Sequence, residues 1–341
     1  MSQTGKWLTI CTEWMSGMNN KKAAIIGAGM SGITLARCLA KEGWEIDLFE
    51  KSRGLGGRLS TRRGDGWQCD HGAQYFTARD ASFLSEVQHW IHRGWVAPWP
   101  ASIGIYQEGS FRPSTDPIQR YVGTPRMNEM LQHDLESIRI HRQLRISSMV
   151  REDKRWTLLD DAYQPVGLGF HVVLLALPAA QAGQLVHKHS TSLFQTTQSV
   201  TMTPSWAAMC TANATRDLEW DALFVNEGPL RWICHDRFKP GREGSDTWLL
   251  HATAEWSEAH WDDEPAKVGA DLQNAFLALT GITTDAPHMH RWLYADIANP
   301  LMLGSVLESE SGIGLCGDWL CGGKVQGAWL SGRDLANRIL S

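Results

Sequence analysis

Ala23-Ala24-Ile25-Ile26-Gly27-Ala28-Gly29-Met30-Ser31-Gly32 is the stretch that decides the fold. Its four apolar residues read as a strand buried in a parallel sheet, running directly into glycines spaced G-x-G-x-x-G. Gly27 permits a tight turn, Gly29 leaves the backbone open to a diphosphate, and Gly32 lets the following helix pack against the strand. That helix is marked by Ile33, Leu35, Ala36, Leu39 and Ala40, and Gly43 stands where a left-handed cap is expected. Its N-terminus, with Ser31 in the first turn, presents free N–H groups and a partial positive charge to phosphates. A second strand, Glu45-Ile46-Asp47-Leu48-Phe49, ends at Glu50, a carboxylate in register to accept hydrogen bonds from an adenosine ribose.

This much suits NAD as well as FAD. The next segment separates them. Arg53-Gly54-Leu55-Gly56-Gly57-Arg58 is a second glycine-rich run with two guanidinium groups able to neutralise a diphosphate, which a simple NAD dehydrogenase does not need. A third motif, Gly317-Asp318, follows the apolar strand Ile313-Gly314-Leu315-Cys316, and the helix after it opens near Gln326-Gly327-Ala328. A helix N-terminus carries about half a positive charge, which suits a flavin ring gaining negative charge on reduction.

With these motifs the sequence resembles the amine-oxidase-like flavoprotein superfamily. Lys51 to Thr61 (KSRGLGGRLST), Asp70 to Asp80 (DHGAQYFTARD) and Leu315 to Gly332 (LCGDWLCGGKVQGAWLSG) are similar to the bacterial renalase-like branch, from about Lys22 to the C-terminus. The resemblance implies non-covalent FAD and adds Lys51, Gln74 and Ile146 to its expected contacts. It implies an oxidase that takes hydride from 2- or 6-dihydro isomers of NAD(P) and passes the electrons to O2, giving H2O2. It also matches His251 and Trp292 to pocket-lining positions. An amine oxidase acting on a primary amine or polyamine is the enzymatic alternative, and a non-catalytic flavin-binding sensor is a second.

The implied architecture is α/β, a Rossmann-type FAD-binding domain interleaved with a smaller α+β substrate domain, as in p-hydroxybenzoate hydroxylase and amine oxidases. The expected boundaries are 18–78, 136–190 and 301–341 for the FAD domain, with 79–135 and 191–300 for the substrate domain. Residues 1–17 read as a disordered extension, or else Met18 is the native start, since MNNKKAAIIG is how a chain opening on a Rossmann strand begins. Helices are expected at Ala81 to Arg93, Met127 to Leu135 and Asp263 to Thr280, and short strands at Ile138 to Ile140, Leu144 to Ile146 and Arg155 to Leu159.

Composition bounds the partners. A net charge of −5 argues against nucleic acid or an anionic membrane, leaving a small-molecule substrate and O2. Seven scattered cysteines without a CxxC read as free thiols of a reducing cytoplasm. No apolar run approaches the ~20 residues that span a bilayer. Most of the 17 tryptophans read as core. Asp70 and His71, adjacent on a strand, face opposite sides and make no dyad. His187-Lys188-His189 and His288-Met289-His290 read as solvated loops with no partners for a metal.

Overall fold

The computed structural model describes residues 21–212 and 218–341, so the expectation for residues 1–17 lies outside the described residues. The glycine motif sits between β1 (Lys22–Ile26) and helix α1 (Met30–Lys41), which leads to β2 (Glu45–Glu50). β1 pairs in parallel with β2 on one side and with Val172–Leu175 on the other. The sheet has six strands in the order Val306–Glu308, Ile313–Leu315, Val172–Leu175, β1, β2, Ile138–Arg142, and only the first is antiparallel to its neighbour. Both faces of its centre are covered, so Ala23, Ala24, Ile25, Leu48, Val173, Leu174 and Leu315 are inaccessible to solvent. That burial explains why these strands read as unbroken apolar runs.

Close backbone approach explains the glycines. Gly27 has φ 104°, and a Cβ there would collide with the Ala176 carbonyl; one on Gly32 would collide with the carbonyl of Gly27. The helix Lys324–Leu340 packs on α1 and brings Gly332 onto the Ser31 backbone.

The second sheet has seven strands, in the order His288–Ile297, Met202–Thr211, Thr247–Ala252, Leu230–His235, Ala222–Val225, Ile103–Gln107, Ser110–Pro113. Its two faces are sorted by strict alternation. Trp206, Ala208, Ile233, Trp248 and Leu250 cluster with Val268, Leu272 and Phe276 of the helix Pro265–Thr280, whereas Ala207, Met209, Trp232 and Leu249 join the core shared with the first sheet. Most tryptophans of this half are therefore packing residues.

Three local expectations fail. Met127 to Leu135 holds only the 3-10 turn Glu129–Leu131, because tertiary bonds capture its polar groups: the Met127 N–H donates to Thr61 Oγ1 (3.2 Å), and Asn128 Nδ2 donates to the Leu55 carbonyl (2.7 Å). Leu144 to Ile146 is not a strand but an extended link into the three-stranded sheet Ser148–Glu152, Arg155–Leu159, Pro165–Phe170. His288 and His290 lie on a strand rather than in a solvated loop.

Buried charge joins the hairpin of Thr61–Gly64 and Trp67–Asp70 to the segment that follows Leu230–His235 of the seven-stranded sheet. Asp70, at the end of the strand Trp67–Asp70, accepts from Lys239 Nζ (3.1 Å), Arg242 (2.6 Å) and Thr61 Oγ1 (2.5 Å). Lys239 also donates to Asp236 (2.7 Å) and to Gln74 Oε1 (3.1 Å). Two acids and two bases thus balance inside the protein, and Asp70, Asp236 and Lys239 have no side-chain exposure. Burial alone would raise the Asp70 pKa, but Lys239 and Arg242 hold it well below the usual carboxylate range. Burial and the Asp70 charge push Asp236 up.

Removing one partner strands the others without solvent. Lys239→Met is expected to destabilise the fold by about 3–5 kcal/mol in chemical denaturation. Lys239→Met combined with Asp236→Asn should cost clearly less than the sum of the singles, since charge balance returns. Simple additivity would show that the four side chains do not act as a unit.

Candidate active site

A continuous cavity of about 2140 Å³ runs between the two sheets. Small-ligand pockets measure roughly 300–1,000 Å³, so this one has room for a dinucleotide with a second molecule beside it. Of the residues expected from sequence to contact the cofactor, Gly27, Gly29, Ser31, Glu50, Lys51, Arg53, Gly57, Arg58, Gln74, Gly317, Asp318, Gln326, Gly327 and Ala328 line it. Gly32 is spent on helix packing, and Ile146 is buried with Phe49 and Met149 away from the cavity wall.

At the first end of the cavity, α1 begins at Gly29 with no side-chain cap, leaving its first N–H groups for an anion. A Cβ on Gly29 would meet no atom within 4 Å, so this glycine keeps space for a ligand rather than for the fold. Glu50 is held tightly: Oε2 accepts the Ala28 N–H (2.9 Å) and Oε1 the Ser52 N–H (2.8 Å). Each oxygen keeps a lone pair for a hydroxyl. The second glycine segment docks on the first turn through Gly56 N–H to the Ala28 carbonyl (2.9 Å), and Arg58 pairs with Asp318 at 2.6 Å.

Two expected contacts have their side chains committed elsewhere. Gln74 donates to the carbonyls of Asp70 (2.6 Å) and Gly72 (3.1 Å) and accepts from Lys239. Gln326 Oε1 accepts the backbone N–H groups of Arg79 (2.7 Å) and Asp80 (3.0 Å). The Gln326 Nε2 amide remains open to the cavity, whereas the Gln74 side chain is occupied by the protein at both ends.

The other end of the cavity is built around one peptide carbonyl. His251 Nε2 approaches the His71 carbonyl at 3.0 Å and Trp292 Nε1 donates to it at 2.7 Å. A carbonyl only accepts, so His251 carries its proton on Nε2 and offers Nδ1 as an acceptor. His71 stacks on Trp292 (5.1 Å between ring centres) and His290 packs edge-on against both. His71 and His290 are cavity residues that the sequence reading passed over; strand alternation links His290 to Trp292, and that spacing of two was the available signal.

All three imidazoles are held neutral. Burial followed by the Arg231 charge lowers His251 to about 3. Burial with the His290 and Arg62 charges lowers His71 to about 4, and burial with Arg62 does the same to His290, also about 4. Asp296 also lines the cavity, and Lys324 (3.1 Å) and Arg231 (3.8 Å) already neutralise it. Among the described residues no cluster of His, Cys, Asp or Glu could hold a metal ion, and no helix is long and apolar enough to cross a membrane.

Residues 25–88 match the family of NAD(P)-binding Rossmann-like domains. A 56-residue stretch, 16% of this chain, is 50% identical to L-amino acid oxidase of Cerastes cerastes, and the match spans only 11% of that enzyme. The whole fold is similar to that of a protein of Exiguobacterium sp. 255-15 provisionally named a protoporphyrinogen oxidase (TM-score 0.78, 13% identity, covering 95% of this chain and 99% of the other). It is also similar to cyclohexylamine oxidase of Brevibacterium oxydans IH-35A (TM-score 0.73, 12% identity, 94% and 99%). The chain therefore has a mixed α/β fold with a Rossmann-type dinucleotide-binding part, in the arrangement of amine-oxidase-like structures.

The neutral imidazoles make stability depend on pH with a defined sign. Unfolded histidine titrates near 6.5, so below that pH the unfolded chain binds protons that the folded chain refuses. The contribution of His71, His251 and His290 is complete above about pH 6.5 and is lost as pH falls toward about 4. The melting temperature should drop across that window, and His251→Gln, which keeps a donor for the His71 carbonyl, should flatten the drop. Identical pH curves for the two proteins would refute the assignment.

Proposed function

We propose that this chain is an FAD-dependent oxidase whose substrates are 2- or 6-dihydro isomers of NAD(P), with the six-stranded half as FAD domain and the seven-stranded half as substrate domain. The observation that carries the reading is the single cavity joining an open helix N-terminus and ribose-type carboxylate at one end to a wall of uncharged rings at the other. The residues present fit the cofactor: Gly29 reserves space at the N-terminus of α1, and Arg53 and Arg58 bring positive charge to the same cavity. Bound there, FAD supplies a two-electron acceptor, taking hydride from the dihydro ring to leave aromatic NAD(P)+ and, with protons from solvent, delivering two electrons to O2 as H2O2.

The protein's part is positional. Trp292 and His71 supply flat faces against which a nicotinamide ring stacks, and the shared carbonyl bond fixes Trp292 against rotation. No residue is asked to remove a proton from carbon, because restored aromaticity drives the loss of hydride. The Cys321 thiol lines the cavity, but burial raises its pKa, which lowers its thiolate fraction and supports non-covalent attachment. The cavity's volume of about 2140 Å³ leaves room for a second molecule beside the cofactor, which supports turnover over a sensing role.

Acid precipitation of the yellow protein should leave the colour in solution; colour kept in the pellet would show a covalent link. Gly29→Val should fold normally, since its side chain enters open space, yet purify without FAD. Glu50→Gln should lose roughly ten-fold in FAD affinity and also loosen the turn, because an amide NH2 would face a backbone N–H.

Anaerobic addition of 2- and 6-dihydronicotinamide isomers should bleach the flavin, and air should restore it with formation of H2O2. Ordinary 4-dihydro NADH should react about 10²-fold more slowly, its reactive carbon being misplaced on the ~1 Å scale. Trp292→Ala should slow the isomer reaction at unchanged FAD content. Bleaching by simple amines and not by the isomers would establish the amine-oxidase alternative instead.

A further inference from the structure

We propose that Phe224 and Asn226 form a second subsite of the cavity, one that takes the adenine ring of the substrate; the proposal rests on the reading above that the substrate is a reduced dinucleotide. It starts from the registers of the seven-stranded sheet. His290 stands opposite Ala207, Ala207 opposite His251, His251 opposite Trp232, and Trp232 opposite Phe224. These five residues make one row across five strands, and directly opposed residues share a face. Ala207, Trp232 and Phe224 pack toward the core shared with the first sheet, so the row is turned to the cavity. Four of its members, His290, His251, Trp232 and Phe224, line the cavity.

The row is aromatic at both ends. Four strand spacings separate the strand of His290 and Trp292 from that of Phe224, roughly 19 Å along the sheet. A dinucleotide carries two flat rings at the ends of a ribose–diphosphate–ribose link of comparable reach, so a nicotinamide on Trp292 brings the second ring to the far end of the row. There Phe224 packs edge-on against Trp232 (4.6 Å between ring centres), and Tyr75 flanks Trp232 at 5.7 Å. Trp232 is buried, whereas Phe224 and Tyr75 are half-buried on the cavity wall. Arg120 already lies over the Tyr75 ring (5.3 Å), which leaves Phe224 as the surface for a base. Asn226 follows two residues later, on the same side by strand alternation, and also lines the cavity. Its backbone N–H is tied to the Tyr106 carbonyl (3.0 Å), and its Nδ2 donates to Gln107 Oε1 (3.3 Å). A second Nδ2 proton and Oδ1 are left over, the pair with which an asparagine reads N7 and the 6-amino group of adenine.

The test uses the FAD-loaded protein, in which the cofactor itself fills the α1 end, and adenosine 5′-monophosphate as probe. Calorimetric titration should show binding that weakens about ten-fold in Phe224→Ala and in Phe224→Leu, which keeps apolar bulk in the strand, at unchanged flavin content and spectrum. Inosine 5′-monophosphate, with a carbonyl in place of the 6-amino group, should bind several-fold more weakly, and Asn226→Ala should erase that difference. With substrates, Phe224→Leu should raise KM for the dinucleotide isomers about ten-fold at constant kcat, and leave KM unchanged for dihydro isomers of nicotinamide mononucleotide. Equal binding of adenosine monophosphate by Phe224→Leu and the parent protein would overturn the subsite, as would equal KM for dinucleotide and mononucleotide isomers in the parent. Equal affinity of the parent for the two nucleotides would remove Asn226 from it. If adenosine monophosphate binds through Phe224 but the isomers are not oxidised, the base subsite stands and the proposed substrate falls. Oxidation of the isomers with no binding of adenosine monophosphate would leave the function standing and overturn the subsite.

Discussion

Four charges in a dry interior set the terms for the rest of this molecule. Asp70 comes from a part of the chain far in sequence from Asp236, Lys239 and Arg242, and none of the four can be separated from the others without leaving a charge where water does not reach. Apolar packing tolerates small displacements. A hydrogen-bonded charge cluster does not, because its energy depends on distances near 3 Å. The cluster therefore fixes how the seven-stranded half lies against the hairpin of residues 61–70, and residues of both line the cavity. Gln74 carries that constraint to the cavity wall, its carbonyl oxygen taken by Lys239 and its amide by the Asp70 and Gly72 carbonyls.

The same arrangement explains how much could be read from sequence. The core of the Rossmann half is local: β1, the glycine turn, α1 and β2 lie within about thirty consecutive residues, and Gly27 and Gly32 do their work through close backbone approach. The cavity contacts grouped around Gly27, Arg58 and Gly317 were legible for that reason. The charge cluster was not, since Asp70 lies 169 residues from Lys239 and 172 from Arg242, and isolated charged residues ordinarily read as solvated surface. Helix propensity over Met127 to Leu135 misled for a related reason, its backbone and side chains being claimed by Thr61 and Leu55.

The substrate wall lies between these extremes. His251 and Trp292 were found by resemblance, but what they share, the single carbonyl of His71, emerges only when strands distant in sequence are laid side by side. His71 and His290 looked uninformative as isolated letters. Placed against Trp292 and each other, they become neutral aromatic edges of the cavity wall, a combination that side-chain identity alone does not announce.

The pairing of Arg58 with Asp318 spans 260 residues, and it bears on how the protein is made. The glycine turn leaves the ribosome early, whereas Ile313–Leu315 and the helix that packs on α1 emerge only after the whole seven-stranded sheet has been synthesised. The six-stranded sheet cannot be finished before those last segments arrive, so the usual sequence of one domain folding before the next begins is closed to the Rossmann half. Until the second Rossmann segment arrives, β1 and its neighbours wait with an uncovered apolar face. Truncation just before Val306 therefore leaves the six-stranded sheet short of two strands while every strand of the seven-stranded sheet is present.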